Sequence, residues 1–311
     1  MGLIKWDKDI KEYKLSEEYS IHKAEVENFV IHIMTYSDKC LNKFAINSWD
    51  KIAEFYGDNE FTQNNCYWIK NNGEIVGGVI IAPNIICDMF LIPPFEEKFK
   101  VMKLLKRLLI EWSDKKKDIF AYEILNEEVN NYLKLGFRIM EKRCWLIRPT
   151  VEFDVKWDDR FRIEQVQAVK CDEMAQVYLE ANIGGVDDNG QELNDYVRRV
   201  GYYFKSKENT EIFHKASTLI YDNETNELVG VCLISMCEGW PLVFDVAVKP
   251  SYRRMGLATN MLKRALTELK EEYKVLVLYV TQGNDSEAVY HNLGFIRGVE
   301  NTKLYIPKGT F

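Results

Sequence analysis

The stretch PLVFDVAVKPSYRRMGLATNMLKRALTEL, residues 241–269, decides the reading of this chain. It divides into strand, turn and helix. Leu242 to Val248 is apolar and β-branched with only Asp245 interrupting, the pattern of a strand buried on both faces. Pro250 ends it, since proline has no N–H to give to a ladder. From Gly256 onward Ala258, Met261, Leu262, Ala265, Leu266 and Leu269 recur at helical spacing, with Lys263, Arg264, Glu268 and Lys270 on the opposite face. Between strand and helix lies Arg253-Arg254-Met255-Gly256-Leu257-Ala258. A helix start leaves its first backbone N–H groups unpaired and carries partial positive charge, which suits a phosphate. Gly256 lets the backbone approach closely, Ala258 keeps the second contact small, and two arginines add charge-assisted donors. A pyrophosphate fits this turn. An ordinary strand-to-helix turn with solvated arginines fits the same six residues, because short glycine patterns are weak evidence by themselves.

The turn is not a phosphate loop of the G-x-x-x-x-G-K-S/T kind, and it is not G-x-G-x-x-G. Arg253, Gly256 and Ala258 in that order resemble the acyl-CoA signature Q/R-x-x-G-x-G/A of the GNAT acetyltransferase superfamily. A second element supports the resemblance. Val275 to Thr281 (VLVLYVT) reads as a buried strand, followed by Gly283-Asn284, a short helix, and Tyr290-His291-Asn292-Leu293-Gly294-Phe295. The family commonly carries an Asn, a Tyr near the end of the following helix and a closing Gly-Phe at this place. Asn284 and Tyr290 lie six apart, one fewer than is usual in the family, so one of them is expected one position off its place.

Length and composition bound the rest. A chain of 311 residues can bury a large core and favours about two domains. With 47% hydrophobic and 29% charged residues it has the composition of a soluble globular protein. No apolar run approaches the ~20 residues of a membrane span, and the first residues lack the apolar core of a signal peptide. Seven cysteines without a C-x-x-C or paired histidine spacing indicate a reduced, cytoplasmic, metal-free protein. The net charge of −7 argues against nucleic-acid binding, which needs a basic face, and permits a cationic acceptor such as an amine.

Taken in order, residues 1–62 read as mainly helical, with an amphipathic run through Val26, Phe29, Val30 and Ile33 and a second helix over Asn47 to Tyr56. Strands over Cys66–Ile69 and Ile75–Ile81 flank the turn signal Asn71-Asn72-Gly73. A strand over Ile85–Ile92, an amphipathic helix from Phe99 to Trp112 and a strand over Ile119–Leu125 follow, then Asn126, a short helix and Tyr132 with Gly136-Phe137. The same order recurs downstream. Ala216–Tyr221 and Leu228–Ser235 form a second hairpin, Glu227-Leu228-Val229-Gly230 echoes Glu74-Ile75-Val76-Gly77, and Asn284, Tyr290 and Gly294-Phe295 repeat Asn126, Tyr132 and Gly136-Phe137 at the same spacing. A repeat this long is a domain duplication, with its boundary between Pro149 and Arg160: residues 1–150 and 151–311. The halves differ where it matters. Opposite Arg253, Arg254 and Gly256 the first half offers Pro93-Pro94-Phe95-Glu96-Glu97, with fewer N–H donors, no glycine and two carboxylates that repel phosphate. The first half is expected to have lost cofactor binding, which resembles the degenerate half of tandem GNAT proteins.

The resemblance implies an α/β fold of two tandem domains, each a mixed, mostly antiparallel sheet flanked by helices with a splayed central pair of parallel strands. It implies acetyl-CoA as cosubstrate, no metal, and direct transfer to an amine in a ternary complex. Backbone groups of Val246, Ala247 and Val248 would face the thioester, and Arg253, Arg254, Met255, Gly256, Leu257, Ala258 and Thr259 would cradle the pyrophosphate. Asn284 would bond the pantetheine arm or cap the following helix. Tyr290 would protonate the leaving thiolate, unless its ring merely packs under the helix. For the base the acids near the central strand are Glu238 and Asp245; burial of Asp245 would raise its pKa toward a working range, or Asp245 would pair with a basic neighbour. The family often places a glutamate where this chain has Leu242, so the base stays open. His291 is expected at the surface and His214 is an outside candidate. The segment from Gln165 to Lys207, with Asp187, Asp188, Tyr196, Tyr202 and Tyr203, is expected to select the acceptor, a small-molecule or peptide amine. The chain is expected to be a monomer or homodimer, with no nucleic acid or membrane as partner. Two other readings are a non-catalytic acyl-CoA-binding sensor or partner-binding module, and a nucleotide-binding α/β domain.

Overall fold

The computed structural model describes residues 5–36, 54, 56–237 and 239–311. The chain divides into two compact units, residues 1–143 with 298–311 and residues 144–297.

The first unit opens with two strands where helix is expected, β1 (Glu12–Lys14) and β2 (Tyr19–Lys23). The reason is a period of two: Tyr13 and Leu15, then Tyr19 and Ile21, are each buried while their neighbours face out. Helix α1 (Val26–Tyr36) follows, burying Phe29, Val30 and Ile33 against Ile80 and Phe90. The helix expected over Asn47–Tyr56 falls largely outside the described residues. After α2 (Glu60–Asn65) come β3 (Cys66–Asn71), β4 (Glu74–Ala82) and β5 (Ile85–Leu91). Then follow α3 (Lys98–Trp112), β6 (Ile119–Leu125) and α4 (Asn126–Lys134). Gly77 in β4 is required by close packing, because a Cβ there would collide with the carbonyl oxygen of Phe90. Helix α3 lays Val101, Leu105, Leu108 and Leu109 on one face of the sheet, each fully buried and each contributing about 1.5–3 kcal/mol of apolar transfer.

The second unit takes residues 144–149 of β7 (Arg138–Pro149), then β8 (Phe161–Glu164), α5 (Cys171–Asn182), α6 (Leu193–Lys205) and α7 (Glu211–Ala216). The hairpin β9 (Thr218–Asp222) and β10 (Leu228–Cys237) leads to β11 (Trp240–Val248), α8 (Leu257–Leu269), β12 (Val275–Thr281) and α9 (Glu287–Asn292). Its strands run in the order β8-β9-β10-β11-β12-β7. One face carries α8 over Val243, Leu276 and Leu278, and the other carries α5 and α6 over Leu219, Val231, Leu233 and Ala247.

The last strand, β13 (Ile296–Ile306), departs from a division into two contiguous halves at residue 150. From Gly298 onward it belongs to the first unit, where Asn301 to Ile306 pair antiparallel with β6 and Leu304 enters the core under α3. The first unit therefore orders its strands β1-β2-β3-β4-β5-β6-β13.

Both units have the expected mixed sheet and the expected splay. In the second, the parallel ladder of β11 and β12 consists of Leu242 with Val277 and Val243 with Leu278. In the first, β5 and β6 pair only at Ile85 with Phe120 and Ile86 with Ala121. Beyond these pairs the backbone groups that face the gap need other partners.

Candidate functional site

The splay in the second unit starts at a β-bulge. Against β10, Val243 pairs with Ile234 and Asp245 with Leu233, so Phe244 is the extra residue. The bulge re-aims the strand beyond it. Val243, Val246 and Val248 pack with the α8 side, while Ala247 packs with α5 and α6. Asp245, two residues before Ala247, points to that same side and reaches α6, where Arg199 Nε lies 3.1 Å from Asp245 Oδ2.

At the far end of β11 the chain makes a one-turn 3-10 helix (Pro250–Tyr252) and enters α8. Arg254 and Gly256 both have positive φ, 64° and 77°. Nothing lies within 4 Å of where a Cβ on Gly256 would sit, so glycine is there for its backbone conformation and for approach from outside. No side chain caps the first turn of α8, so its leading amides point outward. Arg253, Arg254 and Met255 are exposed, Leu257 is buried, and Ala258 and Thr259 are half-buried. Arg253 Nη2 donates to the carbonyl of Ala181 at 2.6 Å, while Arg254 extends into solvent. A diphosphate fits this cradle: open amides, no Cβ in the way, and two guanidinium groups beside it. In the first unit no residue from Pro93 to Lys98 has positive φ, and Glu97 at the start of α3 takes hydrogen bonds from Tyr19 and Lys100.

Beyond β12, Asn284 works twice. Its Oδ1 accepts from the Ser286 amide at 2.9 Å and hydroxyl at 2.6 Å, shaping the entry to α9. Its Nδ2 donates to Asp187 Oδ2 at 2.7 Å, and Thr281 Oγ1 donates to the other oxygen of Asp187 at 2.5 Å. The loop between α5 and α6 is thereby held to the end of β12. Tyr290 lies in α9 among Phe295 and the α8-side core, 7% exposed. Burial pushes its phenol up to about 12, against a small opposing effect of a hydrogen bond with Ser286; Asp245 and Asp187 lie within electrostatic reach.

Tyr290 is thus within electrostatic reach of Asp245 and of Asp187, the residue that Asn284 holds. Tyr290 comes from the α8 face of the sheet and Asp245 from the α5–α6 face. Asp245 is the counter-ion of a guanidinium, and its carboxylate is the first cause that raises the Arg199 pKa. Glu238 lies outside the described residues. His291 is exposed; His214 sits in α7 beside the rings of Tyr203 and Phe204, away from these groups.

Three residues escape a reading of the sequence by motif: Arg199, Tyr178 and Thr281. Arg199 left a signal. Tyr196, Val200 and Tyr203 form the buried stripe of α6, and Arg199, partly exposed, lies at its edge, three residues from Tyr196 and four from Tyr203. A charge there needs a partner, and Asp245 supplies it.

Comparison with known proteins agrees with the geometry. The family model described as Acetyltransferase (GNAT) family matches residues 188–295. A ribosomal protein bS18-alanine N-acetyltransferase from Haemophilus influenzae is 28% identical over 86 residues, 27% of this chain and 58% of that protein. The match therefore spans little more than half of that relative. A GCN5-related N-acetyltransferase from Sphaerobacter thermophilus superposes with a TM-score of 0.68 at 11% identity, over 94% of this chain and 96% of that one. A tandem GNAT protein from the clavulanic acid biosynthesis pathway gives 0.63 at 13% identity, over 94% and 100%. Identities this low speak for the fold. Among the described residues no helix is long and apolar enough to cross a membrane, and no group of three or more His, Cys, Asp or Glu could hold a metal.

Proposed function

We propose that the second unit, whose residues 188–295 match the GNAT family model, transfers an acetyl group from acetyl-CoA to an amine by direct attack in a ternary complex. The observation that supports the reading is the short parallel ladder of β11 and β12, two pairs long, followed by the uncapped, glycine-led start of α8. Bound there, acetyl-CoA would supply an activated acyl thioester. The amides of the α8 first turn, with Arg253 and Arg254, hold the diphosphate; the β11 backbone from Val246 to Val248 lines the thioester.

In the transfer the amine nitrogen forms a bond to the acyl carbon and the carbon–sulfur bond breaks. Tyr290 gives its hydroxyl proton to the departing sulfur, and burial suits it to do so because the phenol stays protonated well above neutral pH. The amine arrives as ammonium, and in this reading the carboxylate of Asp245, paired with Arg199, takes one proton from it before attack; the second nitrogen proton, lost as the amide forms, returns to the Tyr290 phenolate. The first unit, with carboxylates where the second has arginines, shapes the protein without binding the cosubstrate.

The experiment is calorimetry with coenzyme A followed by thiol release from acetyl-CoA against a panel of amines. One coenzyme A per chain and amine-dependent thiol release are expected, and charge reversal of Arg253 and Arg254 should abolish binding. Failure of coenzyme A to bind would end the proposal. Binding without release for any amine would turn it toward an acyl-CoA sensor.

A further inference from the structure

The acceptor side of the gap holds more than an acid. Arg199 reaches Asp245 through Nε, and a guanidinium keeps four further N–H donors on its two terminal nitrogens, arranged as a fork that fits a carboxylate. The Arg199 side chain is 46% exposed, so a ligand can reach it from solvent. Its face is braced by the ring of Phe244, the bulged residue of β11, 5.6 Å away. Deeper lies Tyr178 of α5, 1% exposed, whose hydroxyl has no hydrogen-bond partner among the described residues. Tyr178 is within electrostatic reach of both Asp245 and Arg199. The neighbouring Tyr196 hydroxyl, by contrast, is engaged by Asn182 at 3.2 Å and Gln191 at 3.4 Å. A partly exposed guanidinium and a buried hydroxyl without a partner among the described residues therefore lie near one carboxylate.

We infer that Arg199 and Asp245 select an acceptor that carries a carboxylate beside its amine, that is, a free amino acid or a close relative. This rests on the acyl-transfer reading and names its substrate class. The argument is conservation of ion pairs. An acceptor with ammonium and carboxylate inserts between Asp245 and Arg199: the ammonium takes Asp245, the carboxylate takes the guanidinium fork, and no charge is stranded. A plain amine takes Asp245 and leaves Arg199 without an anion. The other nearby carboxylate, Asp187, acts on Arg199 more weakly than Asp245 does, and it also accepts from Thr281 and Asn284. A doubly charged phosphate in place of the carboxylate would face Asp245 and Asp187 and be repelled. Insertion also has a chemical use: once the carboxylate holds Arg199, Asp245 is released from the guanidinium and stands against the nitrogen whose proton must leave.

The test compares, on the intact chain with acetyl-CoA, free α-amino acids, their α-carboxamides, simple alkylamines and short peptides with a free N-terminus, read by thiol release and product mass. The free amino acids should be used with kcat/KM at least about tenfold above their carboxamides, carried in KM, since a site built to bond a polar group discriminates against its absence. Arg199→Gln should bring that ratio toward one, and Arg199→Lys should keep part of it. Calorimetry of the wild-type protein with an amino acid and its carboxamide gives the same comparison without a variant that must fold. Equal use of carboxamides, peptides or alkylamines by a protein that binds coenzyme A overturns this inference and leaves acyl transfer standing. Failure of coenzyme A to bind overturns both.

Discussion

Tyr290 puts a phenol in a nearly dry place, and its pKa direction makes a sharp expectation at the scale of one residue. Burial raises it from 10.0 to about 12, so the neutral, proton-donating form persists over the whole range in which the protein would be assayed. The donor is lost only as pH climbs through that raised value. Tyr290→Phe should therefore lower kcat by about 10²-fold or more at every pH from about 6 to 10, with no shift of any limb of the profile, while coenzyme A affinity hardly changes. A kcat–pH profile that loses an alkaline limb below about pH 10 in the variant would contradict the assignment. Tyr290 and Asn284 were legible because a motif named them. Asp245 was legible as an interruption in an apolar run, but its partner was not, since Arg199 lies 46 positions earlier in sequence on another element. Arg199 stands at the edge of the buried stripe of α6, a position that periodicity alone does not tie to any anion. Asp187 was legible only as one acid in a flexible-looking loop, and its bonds to Thr281 and Asn284 are a matter of tertiary placement.

At the scale of elements, the junction from β11 to α8 sets a backbone conformation and, in the proposed function, holds the diphosphate, and the two can be separated. Gly256 has φ 77° and no atom within 4 Å of a Cβ position. An alanine there meets no clash and suffers only the left-handed backbone, a cost of about 1 kcal/mol. Gly256→Ala should therefore lower stability by that small amount in denaturant titration yet, under the proposed function, weaken coenzyme A binding by more than tenfold, because the methyl group would enter the open space assigned to the diphosphate. Equal losses in both would make the glycine a turn residue only. The approach to this junction is anchored by Asp222 at the end of β9, a fully buried residue. Its Oδ2 accepts from Arg160 Nη2 at 2.7 Å and Tyr252 Oη at 2.9 Å, and Tyr252 immediately precedes Arg253. The Arg160 guanidinium, more than any other neighbour, holds this carboxyl at about 2 instead of 3.8. The folded value is the lower one, so the stability it contributes is present above about pH 4 and lost as pH falls toward 2. Melting temperature should drop across that window in the wild type, and Asp222→Asn should melt lower at neutral pH with a flatter acid slope. Periodicity found the helices and hairpins of this region because they carry long apolar patterns. It failed at β1 and β2, where three and five residues are too few to show a period against the helical run that follows.

For the whole molecule the duplication was readable, and the closing strand was not. Element order, the Gly-Phe pairs and the hairpin glycines repeat along the chain, which is information a sequence carries directly. Which unit a strand joins depends on its hydrogen-bond partner, and β13 looks equally suited to either sheet until it pairs with β6 from Asn301 to Ile306. The consequence is testable. Leu304 is fully buried in the core of the first unit although only seven residues follow it in the sequence. Leu304→Ala should cost about 2–5 kcal/mol, the range for a leucine removed from a packed core. If residues 298–311 fold with the first unit, that loss appears as faster amide exchange in β6 and the other strands of the first unit, while α8 and β12 keep their protection. Coenzyme A affinity, which we place wholly in the second unit, should then be unchanged by calorimetry under conditions where both units remain folded. Loss of protection in α8 and β12 with β6 intact would assign the last strand to the second unit, and with it would fail the division of labour in which one unit binds and the other supports.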